Sequence, residues 1–142
     1  MIQEDKELLL KDLCARFPYG IKCIVTKSRI EEGQEGDVGK IGWVCLEGVD
    51  CINDKKPFFS EFGNFKPYLF PLSSMTDKQK VEYNSLRDLV PTEQQCEVGN
   101  LLGDFEFVDN WRSIDYLNAN HFDYRGLIKK GLAIDATGLN IY

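Results

Sequence analysis

The segment Trp111–Gly131 reads WRSIDYLNANHFDYRGLIKKG and decides the C-terminal third of the fold. It contains His121, the only histidine of the chain, among large apolar residues. Because each residue of an α-helix turns by about 100°, one unbroken helix here would align Asn118, His121 and Arg125 inside an apolar stripe. Buried polar groups need partners, so such a line would be either a structural hydrogen-bond network or a functional site.

Capping residues in the same segment favour two shorter helices instead. Asp109 is suited to the start of the first helix, and Asn118 or Asn120 can end it in the left-handed conformation. Asp123 can then cap a second helix over Tyr124–Lys130, which has two lysines at its C-terminal end and a glycine directly after it. These start and stop signals agree with one another, so we predict two capped helices joined by a short connection.

The N-terminal half predicts a helix followed by a small antiparallel sheet. Leu9, Leu13 and Phe17 recur at helical spacing. We therefore place a helix over residues 3–17, which Pro18 ends. Beyond it, apolar and polar residues of Ile21–Lys27 alternate with the period of a half-buried strand. Glycines at a spacing of three, from Gly33 to Gly42, favour a hairpin over a ligand-binding loop. We predict that this hairpin leads into a strand over Val38–Leu46 and a short return strand over Val49–Ile52.

Six aromatic residues follow within the short stretch Phe58–Phe70. Interleaved aromatic side chains can stack on nucleic-acid bases, but a stacking platform also needs a positively charged groove, and only one lysine lies in this stretch. We therefore expect these residues to serve the core or a protein-binding surface. The members that we take as candidate binding residues are Phe58, Phe62 and Tyr68.

Two prolines, Pro67 and Pro71, constrain the last strand of this region. Proline has no backbone N–H and cannot donate a hydrogen bond to a neighbouring strand. In sheets it is therefore found at edges, at strand starts or at bulges. We predict that residues 66–72 form an edge strand or an extended connection.

A second helix is predicted to begin after Thr76. Thr76 and Gln79 have the spacing of a capping box, in which each side chain bonds the backbone N–H of the other residue. Apolar residues at helical spacing continue to Val90, and Pro91 stops the helix. An alternation of apolar and polar residues around Phe105 predicts one more short strand.

The length and composition fit one globular domain. The chain has 142 residues, of which 43% are hydrophobic and 28% charged, and we predict a single domain over residues 1–142. The net charge of −6 argues against nucleic-acid binding, because that affinity comes from lysine and arginine on phosphates. One nucleic-acid alternative stays open, a small barrel-like sheet with five basic residues on one face. These residues are Lys22, Lys27, Arg29, Lys40 and Lys66.

The cysteines and acidic clusters lack the spacing of metal sites. Five cysteines form an odd number without a C-x-x-C pair, which fits neither a disulfide framework nor a zinc site. Acidic clusters at residues 31–37 and 104–109 do not have the spacing of a calcium loop. We expect no metal and no cofactor. Because the chain shows no signal peptide and no apolar run of the ~20 residues needed to span a membrane, we expect a cytoplasmic protein without membrane contact.

Two segments of the chain resemble the signatures of a protein family. They are KPYLFPLSSMT at Lys66–Thr76 and DYLNANHFDYRGLIKKGLA at Asp115–Ala133. The family consists of small uncharacterised proteins encoded by anaerobic gut bacteria and by their phages and mobile elements. The resemblance implies a cytoplasmic, phage-associated origin. It implies no known activity and supplies no catalytic residues.

Together these observations predict an α+β fold with an N-terminal helix, a small antiparallel sheet of three to five strands, and C-terminal helices. For function we expect a non-enzymatic accessory or protein-interaction protein of a phage or mobile element. It would bind a protein partner through residues 58–70 or through the C-terminal segment. The alternative is a small enzyme in which His121 acts as general base, Asp123 orients it and Arg125 binds an anion.

Overall fold

The computed structural model describes residues 1–27, 34–54, 57–91 and 105–142. Arg29 and parts of both acidic clusters lie outside these ranges. The described residues form two compact units: unit 1 combines Met1–Ser74 with Asn118–Tyr142, and unit 2 comprises Met75–Leu117. Within them, no helix is long and apolar enough to cross a membrane. The single domain over the whole chain stays a prediction.

Unit 1 begins with helix α1 (Gln3–Arg16). The predicted N-terminal helix is confirmed, with its end one residue earlier than expected. Leu9 and Leu13 are fully buried, as their helical spacing predicts. The helix also buries Asp12 and Arg16 completely, which the spacing of its apolar residues does not predict.

The described part of unit 1 contains a seven-stranded mixed sheet. Its strands are β1 (Lys22–Val25), β2 (Val38–Val44), β3 (Gly48–Ile52), β4 (Phe58–Glu61), β5 (Phe65–Pro71), β8 (Phe122–Asp123) and β9 (Ile134–Asp135). They pair in the order β4-β3-β2-β1-β5-β8, and β9 also pairs with β5. The pairings among β1 to β5 are antiparallel, whereas β8 and β9 run parallel to β5.

The α+β class is confirmed, but the sheet is larger than the three to five antiparallel strands predicted. Strands β8 and β9 come from the C-terminal segment, for which only helices were expected. The prediction of an edge position for β5 is wrong, because it has partners on both sides. Phe70 N–H donates to the C=O of His121 at 2.9 Å. Ala136 N–H donates to the C=O of Leu69 at 2.8 Å. The two prolines of β5 are tolerated because other residues make these bonds.

One hydrophobic cluster joins α1, the sheet and the segment after β8. It includes Cys23 and Cys51, whose sulfur atoms lie 3.1 Å apart. Gly39 leaves room for this contact, because a Cβ at that position would lie 3.1 Å from Cβ of Cys51. The hydrogen bond with Cys51 and burial raise the pKa of Cys23 well above its ordinary value. Cys23 is therefore a neutral thiol that packs as a small apolar side chain.

Unit 2 is smaller and begins with the predicted capping box. Gln79 N–H donates to Oγ1 of Thr76 at 3.2 Å, and Thr76 N–H donates to Oε1 of Gln79 at 2.9 Å. The helix ends at Leu86 and not at Pro91, because residues 88–91 pair with a later strand. The elements of this unit are α2 (Asp77–Leu86), β6 (Asp88–Pro91), β7 (Phe105–Val108) and most of α3 (Trp111–Ala119).

Asn110, and not the predicted Asp109, caps the start of α3. Oδ1 of Asn110 accepts hydrogen bonds from the N–H groups of Arg112 (2.9 Å) and Ser113 (3.0 Å). The carboxylate of Asp109 instead forms an ion pair with Arg87 at 3.3 Å. The cap therefore lies one residue later than predicted, because an arginine from outside α3 engages the aspartate.

The C-terminal segment contains one helix instead of the two predicted. Helix α3 ends at Ala119, which excludes a single helix through residue 125. The residue in left-handed conformation at the end of α3 is His121, with φ 61°, and not Asn118 or Asn120. Residues 124–130 form turns, because Gly126 has φ 76°, which interrupts a right-handed helix.

Candidate functional site

Two fully buried charged side chains on α1 form the centre of the polar interior of unit 1. Nε of Arg16 donates to Oδ2 of Asp12 at 2.8 Å, and both side chains are 0% exposed. Nε of Arg125 donates to the other oxygen of Asp12 at 3.1 Å. Arg16 also donates through Nη2 to the C=O of Phe122 at 2.6 Å. One carboxylate thus binds two guanidinium groups.

Tyr124 extends this arrangement to the end of α3. Nη2 of Arg125 donates to the Tyr124 hydroxyl at 2.8 Å, and that hydroxyl donates to Oδ1 of Asn118 at 3.0 Å. Cζ of Arg16 lies 5.3 Å and Cζ of Arg125 lies 4.7 Å from the centroid of the Tyr124 ring, within reach of cation–π attraction. We call Asp12, Arg16, Asn118, Tyr124 and Arg125 the Asp12 network.

His121 is only 7% exposed, and the positive charge of Arg16 in this network acts on its ring. Its ring stacks on the ring of Tyr142, with centroids 3.8 Å apart and an angle of 14° between the planes. Nδ1 of His121 has no hydrogen-bond partner among the described residues. Burial, and to a lesser extent the positive charge of Arg16, lower the pKa of His121 to about 4. The imidazole is therefore neutral at neutral pH and weakly basic.

Tyr142 bridges the backbones of β1 and β5 with its hydroxyl. The hydroxyl accepts from Lys22 N–H at 3.1 Å and donates to the C=O of Tyr68 at 2.8 Å. Lys22 and Tyr68 would be the next pair beyond the last rung of the β1–β5 ladder. Burial raises the pKa of Tyr142 to about 12, so the hydroxyl keeps the proton that it donates.

Asp123 is engaged in the turn that follows β8. Its Oδ1 accepts from Leu127 N–H at 2.9 Å, and its Oδ2 accepts from Ile128 N–H at 2.8 Å. A carboxylate that orients a catalytic histidine must instead bond the imidazole. Among the described contacts, His121 stacks on Tyr142, Asp123 bonds the turn, and Arg125 bonds Asp12. The three residues are close in sequence, but the structure gives each of them separate partners.

The predicted aromatic binding residues lie in the interior of unit 1. Phe58 is 8% exposed and Tyr68 is 6% exposed. Phe62 is half-buried, with its ring centroid 5.7 Å from that of Phe65 and the ammonium of Lys6 5.7 Å above it. As the chain is folded, these side chains stabilise the core. Their role in binding stays a prediction.

Sequence reasoning missed Asp12 and Arg16, although α1 carries a signal for them. They follow Leu9 by three and seven residues, which places all three on one face of the helix. An acid and a base four residues apart on an apolar helix face indicate a buried ion pair. Tyr142 offers no comparable signal, because its role depends on where β1 and β5 separate.

Unit 1 also has a surface cleft of about 220 Å³, lined by Cys14, Phe17, Trp43 and Val44. Ligand pockets usually measure roughly 300–1,000 Å³, so this cleft is small, and its lining offers no charged group. The described residues contain no group of three or more side chains suited to hold a metal ion. Within the part of the chain that the structure describes, the Asp12 network combines buried charged side chains with several mutual hydrogen bonds.

Comparisons with protein-family models, with curated proteins and with solved structures found no match for this chain. The resemblance to a phage-associated family accordingly stays a prediction.

Asp12→Ala should destabilise the protein by about 3–5 kcal/mol, because two guanidinium groups then lose their carboxylate inside the protein. The matched control is Asp5→Ala on the same helix, where Asp5 lies 3.3 Å from the half-exposed Lys130. This control should cost at most about 1 kcal/mol. Denaturant unfolding of both variants measures the difference. Equal decreases in the unfolding free energy of the two variants would contradict the central role of Asp12.

His121 should make stability fall as the pH is lowered. Its pKa of about 4 in the folded state lies below the ordinary value of 6.5, so the unfolded state binds more protons between these pH values. The stabilising effect of the neutral ring is complete above pH 6.5 and is lost as the pH falls to about 4, by up to about 3 kcal/mol. His121→Asn, which tolerates a positive φ, removes this dependence. A constant difference in unfolding free energy between the two proteins from pH 4 to 8 would show the prediction to be wrong.

Proposed function

We propose that this chain is a non-enzymatic protein-interaction protein, which binds a partner through an apolar face of the two-stranded sheet β6–β7 in unit 2. The resemblance described above suggests a cytoplasmic accessory protein of a phage or mobile element. The observation that carries the proposal is a set of large apolar side chains that share one open face of this sheet.

The register of β6 and β7 places these side chains together. Leu89 lies opposite Phe107, and Pro91 lies opposite Phe105. Residues directly opposite in an antiparallel pair, and residues two apart in one strand, point to the same face. Leu89 is 57% exposed, Phe105 52% and Phe107 45%. We call Leu89, Phe105 and Phe107 the β6–β7 face.

The exposure of this face is unfavourable for a chain that has no partner. Full burial of a leucine or phenylalanine side chain contributes roughly 1.5–3 kcal/mol. Three half-exposed side chains therefore leave roughly 2–5 kcal/mol available to binding. A two-stranded sheet is also marginally stable unless another surface covers it. The exposed apolar side chains and the marginal stability of the sheet both favour a protein partner over solvent as the neighbour of the β6–β7 face.

Arg87 holds the two-stranded sheet in place within unit 2. Its Nη2 donates to the C=O of Phe107 at 2.9 Å, and its Cζ lies 5.6 Å from the ring centroid of that residue. The same guanidinium lies 4.9 Å from the ring of Tyr83 and pairs with Asp109 at 3.3 Å. A surface that is fixed before binding loses less conformational entropy when the partner arrives.

The contacts of the three candidate catalytic residues weigh against the enzyme alternative. A general base works best when its pKa lies near the working pH, whereas that of His121 is about 4. Both carboxylate oxygens of Asp123 already accept backbone N–H groups. Arg125 bonds Asp12 and Tyr124. Each residue therefore has a structural role that accounts for its position.

Leu89→Ser combined with Phe105→Ser should abolish capture of a partner. Both side chains are exposed, so the double variant should remain folded. The control is Val81→Ser, which removes another exposed apolar side chain of unit 2, 70% exposed on α2. Affinity capture from host cells during phage induction, with mass spectrometry, compares the three proteins. A partner that the double variant retains as well as the wild type does would overturn the proposal.

A second candidate function, nucleic-acid binding, is favoured by the register of the main sheet. Lys22 lies opposite Lys40, and Lys66 lies opposite Ile24, two residues after Lys22. These three lysines therefore share one face. Lys27 follows β1, and Arg29 lies outside the described residues, so three of the five basic residues support this candidate. The net charge of −6 weighs against it.

Binding to heparin at low salt separates this candidate from the first. If the lysine face binds polyanions, Lys40→Glu with Lys66→Glu should elute at lower salt than the wild type, because phosphate and sulfate contacts depend on lysine charge. Lys78→Glu with Lys80→Glu is the charge-matched control, on side chains of α2 that are 86% and 57% exposed. A wild-type protein that heparin does not retain would remove nucleic-acid binding as a candidate.

A further inference from the structure

We propose that the sheet β6–β7 binds an extended segment of the partner protein at one of its edges. This segment adds a third strand to the sheet, and its sequence alternates apolar with basic residues. This inference rests on the protein-interaction function proposed above and gives the chemistry of the partner. It follows from the edges of β6 and β7 that no other described strand occupies, and from the different residues on the two faces of the sheet.

Backbone hydrogen bonds at the edges of β6 and β7 can hold an added strand. Among the described residues, β6 and β7 pair only with each other. Each strand therefore has a second edge that no other described strand occupies, although one acceptor of β7, the C=O of Phe107, already bonds Arg87. An open edge of this kind is the surface to which an extended peptide adds as a further strand. A third strand also converts a marginal two-stranded sheet into a stable one.

The side chains of the added strand must match those on the two faces of the sheet. Successive residues of a strand point to opposite faces of the sheet. An added strand borders only one of the two strands, so its residues beside Leu89 at the β6 edge, or beside Phe105 and Phe107 at the β7 edge, should be apolar. The register places Asp88 opposite Val108 and Glu106 opposite Val90, on the other face. Residues that point to this other face should be basic, so the partner segment alternates with a period of two.

The two acidic residues are accessible to a cation from the partner. Asp88 lies 4.0 Å from Arg112, and both side chains are about half exposed, 56% and 52%. An exposed ion pair of this length contributes little to stability, so Asp88 can exchange its partner. Glu106 is exposed in the middle of the short strand β7. Opposite charges on neighbouring strands stabilise the pairing.

A second copy of this chain fits the site less well than a basic partner. Each copy has a net charge of −6, so two copies repel one another. Symmetric pairing through one edge would bring Glu106 or Asp88 close to the same residue of the other copy. Like charges on neighbouring strands destabilise a sheet. The charge therefore favours an extended basic–apolar segment of a different protein.

The test uses the full chain and a short blocked peptide of alternating valine and lysine. We expect the peptide to bind and to slow hydrogen exchange of backbone amides in β6 or β7, because a third strand protects an edge. Glu106→Lys should weaken binding about tenfold, which corresponds to about 1.4 kcal/mol. The matched control Glu47→Lys, an exposed residue in the turn between β2 and β3, should change it little.

Two further peptides decide between strand addition and simple charge attraction. A valine–lysine peptide with alternate amides methylated keeps its charge but cannot pair, and equal binding by it would overturn strand addition. Equal binding by a valine–glutamate peptide would overturn the basic specificity. Failure of the valine–lysine peptide to bind, or self-association of the free protein through β6–β7, would also overturn the inference. The valine–lysine peptide could fail to bind while the double variant Leu89→Ser with Phe105→Ser no longer captures a partner. That result would overturn strand addition and would still support the protein-interaction function.

Discussion

The buried ion pair between Asp12 and Arg16 is the contact on which the arrangement of unit 1 depends. Moving two charges out of water costs several kcal/mol per ion, and the cost is offset only when their hydrogen-bonding groups are satisfied. Asp12 uses both carboxylate oxygens, and Arg16 also bonds the C=O of Phe122. Because the second guanidinium belongs to Arg125, the carboxylate on α1 fixes a segment 113 residues further along the chain.

The ion pair also holds the polar C-terminal segment, because the C=O of Phe122 and the guanidinium of Arg125 both bond to it. His121 takes the left-handed conformation at the end of α3, and its C=O accepts from Phe70 where β8 joins β5. The imidazole is then stacked on Tyr142, away from water, and burial keeps it neutral. Neighbouring polar residues of this segment also have structural partners, because Asp123 accepts two backbone N–H groups and Arg125 bonds Asp12 and Tyr124.

Unit 2 has a helix, α2, that carries no buried ion pair like that of α1. No residue of α2 is fully buried, and polar contacts around Arg87, Tyr83 and Asp109 hold the unit together. Burial, followed by the hydrogen bond to Asp109, raises the pKa of Tyr83 to about 12, so this hydroxyl remains a donor. The large apolar residues of β6 and β7 are left at the surface. A polar framework that presents an apolar face is well suited to binding a partner, and this contrast supports a function through surfaces over one through chemistry.

The sequence by itself determined the elements whose signals are local. Helical spacing predicted α1, alternation predicted β1 and β7, the glycine-rich hairpin predicted β2 and β3, and the Thr76–Gln79 pair marked the start of α2, because these patterns follow from backbone geometry within a few residues. Only the tertiary structure decided that β8 and β9 pair with β5, that Asp109 forms an ion pair with Arg87 instead of capping α3, and that Asp12 binds Arg125. Two-residue strands have no periodicity, and a buried carboxylate is satisfied by whichever distant groups the fold brings to it, so neither can be read from neighbouring residues.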